Sequence, residues 1–197
     1  MEERNPMKET LITRFPVALF ISFILVAHLF VPQGYLIRIN TISEMAAQGL
    51  PHGWIMRSGF ILFGLTLIIG QGHRLRKREG SLLTTIPYIL YGVSISLTGI
   101  WSTTYPGMVQ PNLTESGLHS LFATTAGVAL VVTMLLIAWR TKEIRLRLTH
   151  LGVAILVLLL SMGFGLLPGI QGWTQRLMYT VSFLWILFCY GKVDKGL

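Results

Sequence analysis

The feature that most constrains this chain is where its charges are missing. Long apolar runs contain almost no Asp, Glu, Lys or Arg, only Arg57 and Arg176 at the edges of two of them, and the other charged residues gather in the connectors and at the two ends. Inside hydrocarbon a backbone must pair every N–H and C=O within itself, which leaves helices or a closed barrel. None of the runs alternates as a barrel strand does. Six can hold a spanning helix of roughly 20 residues: about 15–31, 54–72, 82–101, 118–139, 148–167 and 176–190. The expected architecture is all-α: a polytopic membrane protein, a bundle of six transmembrane helices over 15–190. A polar segment 1–14 precedes it and a tail 191–197 follows. Pro16 falls near the expected start of the first helix, where a missing N–H costs little.

Composition agrees. Apolar residues make up 52% and charged residues 12%, about half the usual charged share of a soluble domain. The net charge of +8 and the pI of about 10.1 would suggest nucleic acid in a soluble protein. Here basic residues between apolar runs are read as topology signals and contacts to anionic head groups. The expected partner is membrane lipid, with no nucleic acid. The single cysteine, Cys189, excludes an internal disulfide and a cysteine metal cluster.

Lysine and arginine set the expected orientation. Three lie in the N-terminal segment (Arg4, Lys8, Arg14), four follow the second run (Arg74 to Arg78), four follow the fourth (Arg140 to Arg147), and Lys192 and Lys195 are in the tail. Only Arg38, Arg57 and Arg176 lie on the opposite side. The positive-inside rule then puts both termini in the cytoplasm of a multi-pass cell-membrane protein, N-in and C-in. Trp54, Trp101 and Trp173 fall at expected outer ends and Trp139 at an inner end, as in an aromatic belt.

Three outer turns share one grammar. Val31-Pro32-Gln33-Gly34 leads to Arg57, Tyr105-Pro106-Gly107 to His119, and Pro168-Gly169 to Arg176. The outer polar residues are varied, with Glu44, His52, Glu115, Ser116 and Gln175 beside these three, while the inner ones are mostly Lys and Arg. Acids, bases and amides together can build a site. Arg57 and Arg176 near the start of descending helices must snorkel, pair or face a wet cavity. They are read either as anion ligands or as Arg–Glu pairs locking the loops. The expected ligand-binding residues are Arg57, Arg176, Gln175, Glu115 and His52, for a lipid head group or small anion. Glu115 and His119 are spaced to share a helix face. The first outer connector, 32–53, is expected to carry a short interfacial helix capped near Thr41 or Ser43. The polar third run, with Tyr88, Tyr91, Ser96 and Thr98, is read as interhelical hydrogen bonding and small-residue packing.

Catalysis is the alternative reading: an intramembrane hydrolase or transferase acting on lipid, with His119 served by Glu44 or Ser116. His28, His52 and His119 with Glu44 contain metal-ligand types but no HxH, HxxxH or HExxH spacing, so no metal and no cofactor are expected.

Four segments carry a family resemblance: Ile42-Ser43-Glu44, Pro51-His52-Gly53-Trp54, Ser116-Gly117-Leu118-His119, and Gly172-Trp173-Thr174-Gln175-Arg176 followed by Trp185. The chain resembles, over about 15–190, the prokaryotic membrane family called domain of unknown function 998. The Gly-x-x-Gln-Arg motif is the most specific part. Ser43-Glu44-Met45-Ala46 departs from the family's Ser-x-Leu-Gly. The resemblance implies six helices and an outward cluster that includes His119 and Arg176. It implies no reaction.

Overall fold

The computed structural model describes residues 6–76 and 81–190, with side chains from residue 14 onward. Among them are six helices: α1 (Pro6–His28), α2 (Gly53–Arg76), α3 (Leu82–Ile100), α4 (Leu113–Arg140), α5 (Ile144–Leu166) and α6 (Gln171–Phe188). Two short 3-10 turns, Ser43–Ala46 and Pro168–Ile170, interrupt the connectors. No strand occurs among the described residues. The tail 191–197 and the basic pair Lys77 and Arg78 lie outside the described residues.

Three helix starts differ most from the sequence expectation, each for a local reason. α1 begins at Pro6, well before the apolar run. Met7, Lys8, Glu9 and Leu11 are good helix formers, so the helix continues through the polar segment. Pro16 is therefore inside α1 and removes one ladder hydrogen bond rather than sitting harmlessly at the start. α4 begins at Leu113 because Asn112 caps it, its side chain accepting from the Glu115 amide at 3.1 Å. α6 begins at Gln171, since the turn opened by Pro168 runs directly into it. Arg176 thus lies in the second turn of α6.

Helices adjacent in sequence pack against one another, and α1 also touches α6. The core between them is aromatic. Phe20 stacks on Phe63 at 4.7 Å and meets Phe183 edge-on at 5.8 Å. Phe63 meets Tyr91 edge-on at 6.2 Å. Such pairs add to the stabilisation from area alone. The α2–α3 contact is close: a Cβ on Gly64 would overlap the Gly92 carbonyl and the Ser96 hydroxyl. Ser96 in turn donates to the Ile61 carbonyl at 3.2 Å. The polar third helix is thus used for packing, with Thr85, Tyr88, Tyr91, Ser94, Ser96 and Thr98 all buried.

Outside, the molecule is apolar. Helices α2 to α5 are long and apolar enough to cross a membrane by length and composition. α1 and α6 do not meet that measure. The apolar part of α1 is Arg14–His28, and α6 carries Gln171, Thr174, Gln175 and Arg176 within 18 residues. Leu158, Leu159 and Met162 of α5 face outward, and Trp54, Trp139 and Trp173 are all more than half exposed. A surface this apolar needs a nonaqueous cover.

At the end where α4 meets α5, buried polar groups pair across helices. Trp185 Nε1 donates to His150 Nδ1 at 2.9 Å, and Tyr190 donates to Gln71 at 2.9 Å while stacking on Tyr88 at 4.3 Å.

Candidate functional site

The opposite end is organised by the connector between α1 and α2. Connectors usually run over the surface because their backbone polar groups need water. Here Asn40, Thr41, Ile42, Met45, Ala46, Ala47 and Gln48 are buried. Their carbonyls and amides must find partners within the protein. The residues singled out from sequence supply many of them.

The segment first satisfies itself. Glu44 Oε2 accepts from the Thr41 amide at 2.9 Å, and Thr41 Oγ1 accepts from the Glu44 amide at 3.1 Å. This reciprocal pair is a capping box, so the expected cap near Thr41 is present. Glu44 also accepts from Asn40 Nδ2 at 2.9 Å.

α6 then clasps the segment from outside. Gln175 Oε1 accepts from the Ile42 amide at 2.6 Å, and its Nε2 donates to Ser43 Oγ at 3.3 Å. The Trp173 amide donates to the Arg38 carbonyl at 3.2 Å. A Cβ on Gly172 would overlap the carbonyls of Ile37 and Asn40, so the approach requires glycine. Arg176 completes the clasp. Its Nη1 donates to the carbonyls of Ile37, Asn40 and Gly172 at 2.9, 2.8 and 2.9 Å. Its Nη2 donates to Tyr35 Oη at 2.6 Å and to His28 Nε2 at 3.2 Å. His28 Nδ1 lies 2.7 Å from the Ile24 carbonyl and must carry the proton. Nε2 is then the lone pair that faces the guanidinium. The Tyr35 hydroxyl in turn donates to the Thr41 carbonyl at 3.0 Å. Burial pushes the Tyr35 hydroxyl above its ordinary range, and the Arg176 charge opposes that rise.

Arg57, from α2, holds the other end of the segment. Its Nε and Nη2 donate to the carbonyls of Ala46 and Ala47 at 3.0 and 3.2 Å. Gln48 links the segment onward, donating to the Ser102 and Asn112 carbonyls at 3.0 Å each and accepting from the Asn112 amide at 2.8 Å.

Glu115 and His119 do share a face, and both turn to the end of α3. Glu115 accepts from the Ser102 amide at 2.8 Å. His119 Nδ1 lies 3.0 and 2.9 Å from the Thr98 and Trp101 carbonyls. Two acceptors require the proton on Nδ1, which leaves Nε2 as a lone pair. His119 thus terminates α3 as a donor to its last carbonyls.

Several expectations are corrected here. Neither Arg57 nor Arg176 pairs with Glu44 or Glu115 among the described residues, so the Arg–Glu lock is absent. The reason is supply and demand in a buried layer: the carboxylates are taken by amides and the guanidiniums by carbonyls. Arg57 and Arg176 converge on one segment, while Glu115 and His119 form a neighbouring group. None of these four or Glu44 hydrogen-bonds to another of the five. His119 has no hydrogen bond to Glu44 or Ser116, and the Ser116 carbonyl accepts from Ser120. His52 lies apart, its ring 4.7 Å from Phe30. No group of three His, Cys, Asp or Glu gathers in metal-ligating geometry among the described residues. Tyr35, Gln48 and Gly172 do much of the linking; Tyr35 and Gln48 are not singled out from sequence, and Gly172 is marked only by its place in the motif. For Gly172 the motif spacing to Gln175 and Arg176 was the available signal.

Six helices around an aromatic core, four of them of membrane length and apolar character, define an all-α protein of membrane type. The chain belongs to the family described as protein of unknown function DUF998, whose model matches residues 16–189. That range includes the whole of the α6 clasp. No curated protein and no solved structure matches the chain.

Proposed function

We propose that this is a six-span cell-membrane protein with both termini in the cytoplasm, and that its outward polar layer binds an anionic lipid head group or small anion. One observation carries the reading. Among the described residues Arg57 and Arg176 make hydrogen bonds only to neutral acceptors, and each keeps one nitrogen, Nη1 and Nε respectively, without a partner there. Two half-buried positive charges without a carboxylate favour an anion beside them, and a guanidinium fork suits phosphate or carboxylate. The positive-inside rule does not call for cations on this side, so their presence asks for another role.

The test is melting of the purified chain in detergent with added phosphatidylglycerol or phosphatidylcholine. A ligand at about 100 times its Kd stabilises by about 2.7 kcal/mol. Phosphatidylglycerol should raise the wild-type midpoint more than phosphatidylcholine does, and Arg57→Gln should remove much of the difference. Equal responses to the two lipids would refute the reading.

A further inference from the structure

Among the described residues four arginines are half-buried: Arg57, Arg74, Arg140 and Arg176. Three have evident partners. Arg57 and Arg176 hold carbonyls, and Arg74 lies over the Tyr190 ring at 5.2 Å. Arg140 is different. Its Nε is buried with no hydrogen-bond partner among the described residues. Its Nη nitrogens are not among the buried unpartnered atoms and donate no hydrogen bond among the described residues, so the outer end of the guanidinium is the part that can take an anion.

Arg140 is the last residue of α4, where an arginine usually reaches the final carbonyls of its helix. That option is taken. The Thr141 amide donates to the Ile137 and Ala138 carbonyls at 3.0 and 3.3 Å, and Thr141 Oγ1 donates to the Ile137 carbonyl at 2.8 Å. Glu143, three residues on, forms no ion pair with it among the described residues. The residues that follow and precede Arg140 in the chain are mainly of two kinds, with Glu143 the one exposed carboxylate among them. Lys142, Arg145 and Arg147 are exposed cations. Trp139, Ile144 and Leu148 are exposed apolar groups at 68%, 61% and 58%. α4 and α5 are both of membrane length, so the turn between them lies at the membrane surface. There the apolar rim meets acyl chains and the cations meet head groups.

We infer that the α4–α5 turn binds the phosphate of an anionic glycerophospholipid, with Arg140 as the fork that grips it. The occupant is a lipid rather than free phosphate because the apolar rim gives its acyl chains a seat. The site is separate from the α6 clasp and requires only that α4 and α5 cross the membrane.

The experiment titrates phosphatidylglycerol into the detergent-purified full chain and reads the half-saturating concentration from the melting shift. Wild type, Arg140→Gln, Arg140→Lys and Arg57→Gln are compared. Losing one charge-assisted contact should weaken the half-saturation attributable to this turn by about tenfold in Arg140→Gln. Arg140→Lys should fall between, and Arg57→Gln should leave the Arg140-dependent component in place. Unchanged titration in Arg140→Gln overturns the inference. So does an equal Arg140-dependent shift with inorganic phosphate or with phosphatidylcholine. If Arg140→Gln does not fold, the Arg140→Lys titration decides by the same criterion.

Discussion

Arg176 shows what one side chain can do when its partners are carbonyls rather than a carboxylate. It meets five acceptors with two nitrogens, drawn from α1, the α1–α2 connector and α6. Replacing it with alanine leaves four part-buried acceptors short of a donor, each costing up to about 1–3 kcal/mol. Arg176→Ala should therefore lower stability by roughly 3 kcal/mol or more. Arg176→Lys should also melt lower than wild type, because a point ammonium cannot copy the fork. Wild-type melting in Arg176→Lys would show that the fork is not used. Tyr35→Phe removes one bond to a charged group and should cost about 1.5–3 kcal/mol. Tyr35 also carries a pH signature. Its folded-state pKa is raised, so its contribution is complete below the ordinary tyrosine value of about 10 and is lost as pH rises above it. The melting difference between wild type and Tyr35→Phe should shrink from pH 8 toward pH 11. A difference that grows instead would reject the assignment.

At the scale of elements, the clasp is a helix N-terminus laid on a buried connector. Gly172 allows the approach, Gln175 reads the Ile42 amide, and Arg176 gathers the carbonyls. Gly172→Ala puts a methyl into two carbonyl oxygens and should destabilise by about 1–3 kcal/mol or more through overpacking. Differential scanning fluorimetry in detergent checks this, and a midpoint equal to wild type would mean that α6 does not seat as described. The capping box is a second element-scale device. Thr41→Val keeps the volume and removes the cap, at a cost of about 0.5–2 kcal/mol. The spacing Thr41-x-x-Glu44 was legible in the chain. The reach of Gln48 to Ser102 and Asn112 was not, because nothing about an isolated glutamine announces which loop it will bridge.

At the scale of the whole molecule, sidedness is read by cysteine labelling. In a Cys189→Ala background, Val109→Cys lies in the α3–α4 connector, where Val109 is 84% exposed, and Lys142→Cys lies in the α4–α5 turn. With both termini in the cytoplasm, a membrane-impermeant thiol reagent should label position 109 in intact cells. Position 142 should react only after permeabilisation. Labelling in the reverse sense would turn the molecule over and place the α6 clasp inside.

Charge segregation and run length were enough to specify an all-helical chain of membrane type, because hydrocarbon admits few backbone solutions. The spacing Gly-x-x-Gln-Arg was enough to mark α6 as special. What those side chains hold was decided only by the tertiary structure. Arg57, Arg176, His119 and Glu115 pair with backbone carbonyls and amides, and every residue type but proline offers both. A carboxylate partner can be searched for in a sequence, but a buried carbonyl cannot. Arg176 reaches the Asn40 carbonyl across 136 positions of chain, and that oxygen needs a donor only because the fold has buried the connector that carries it.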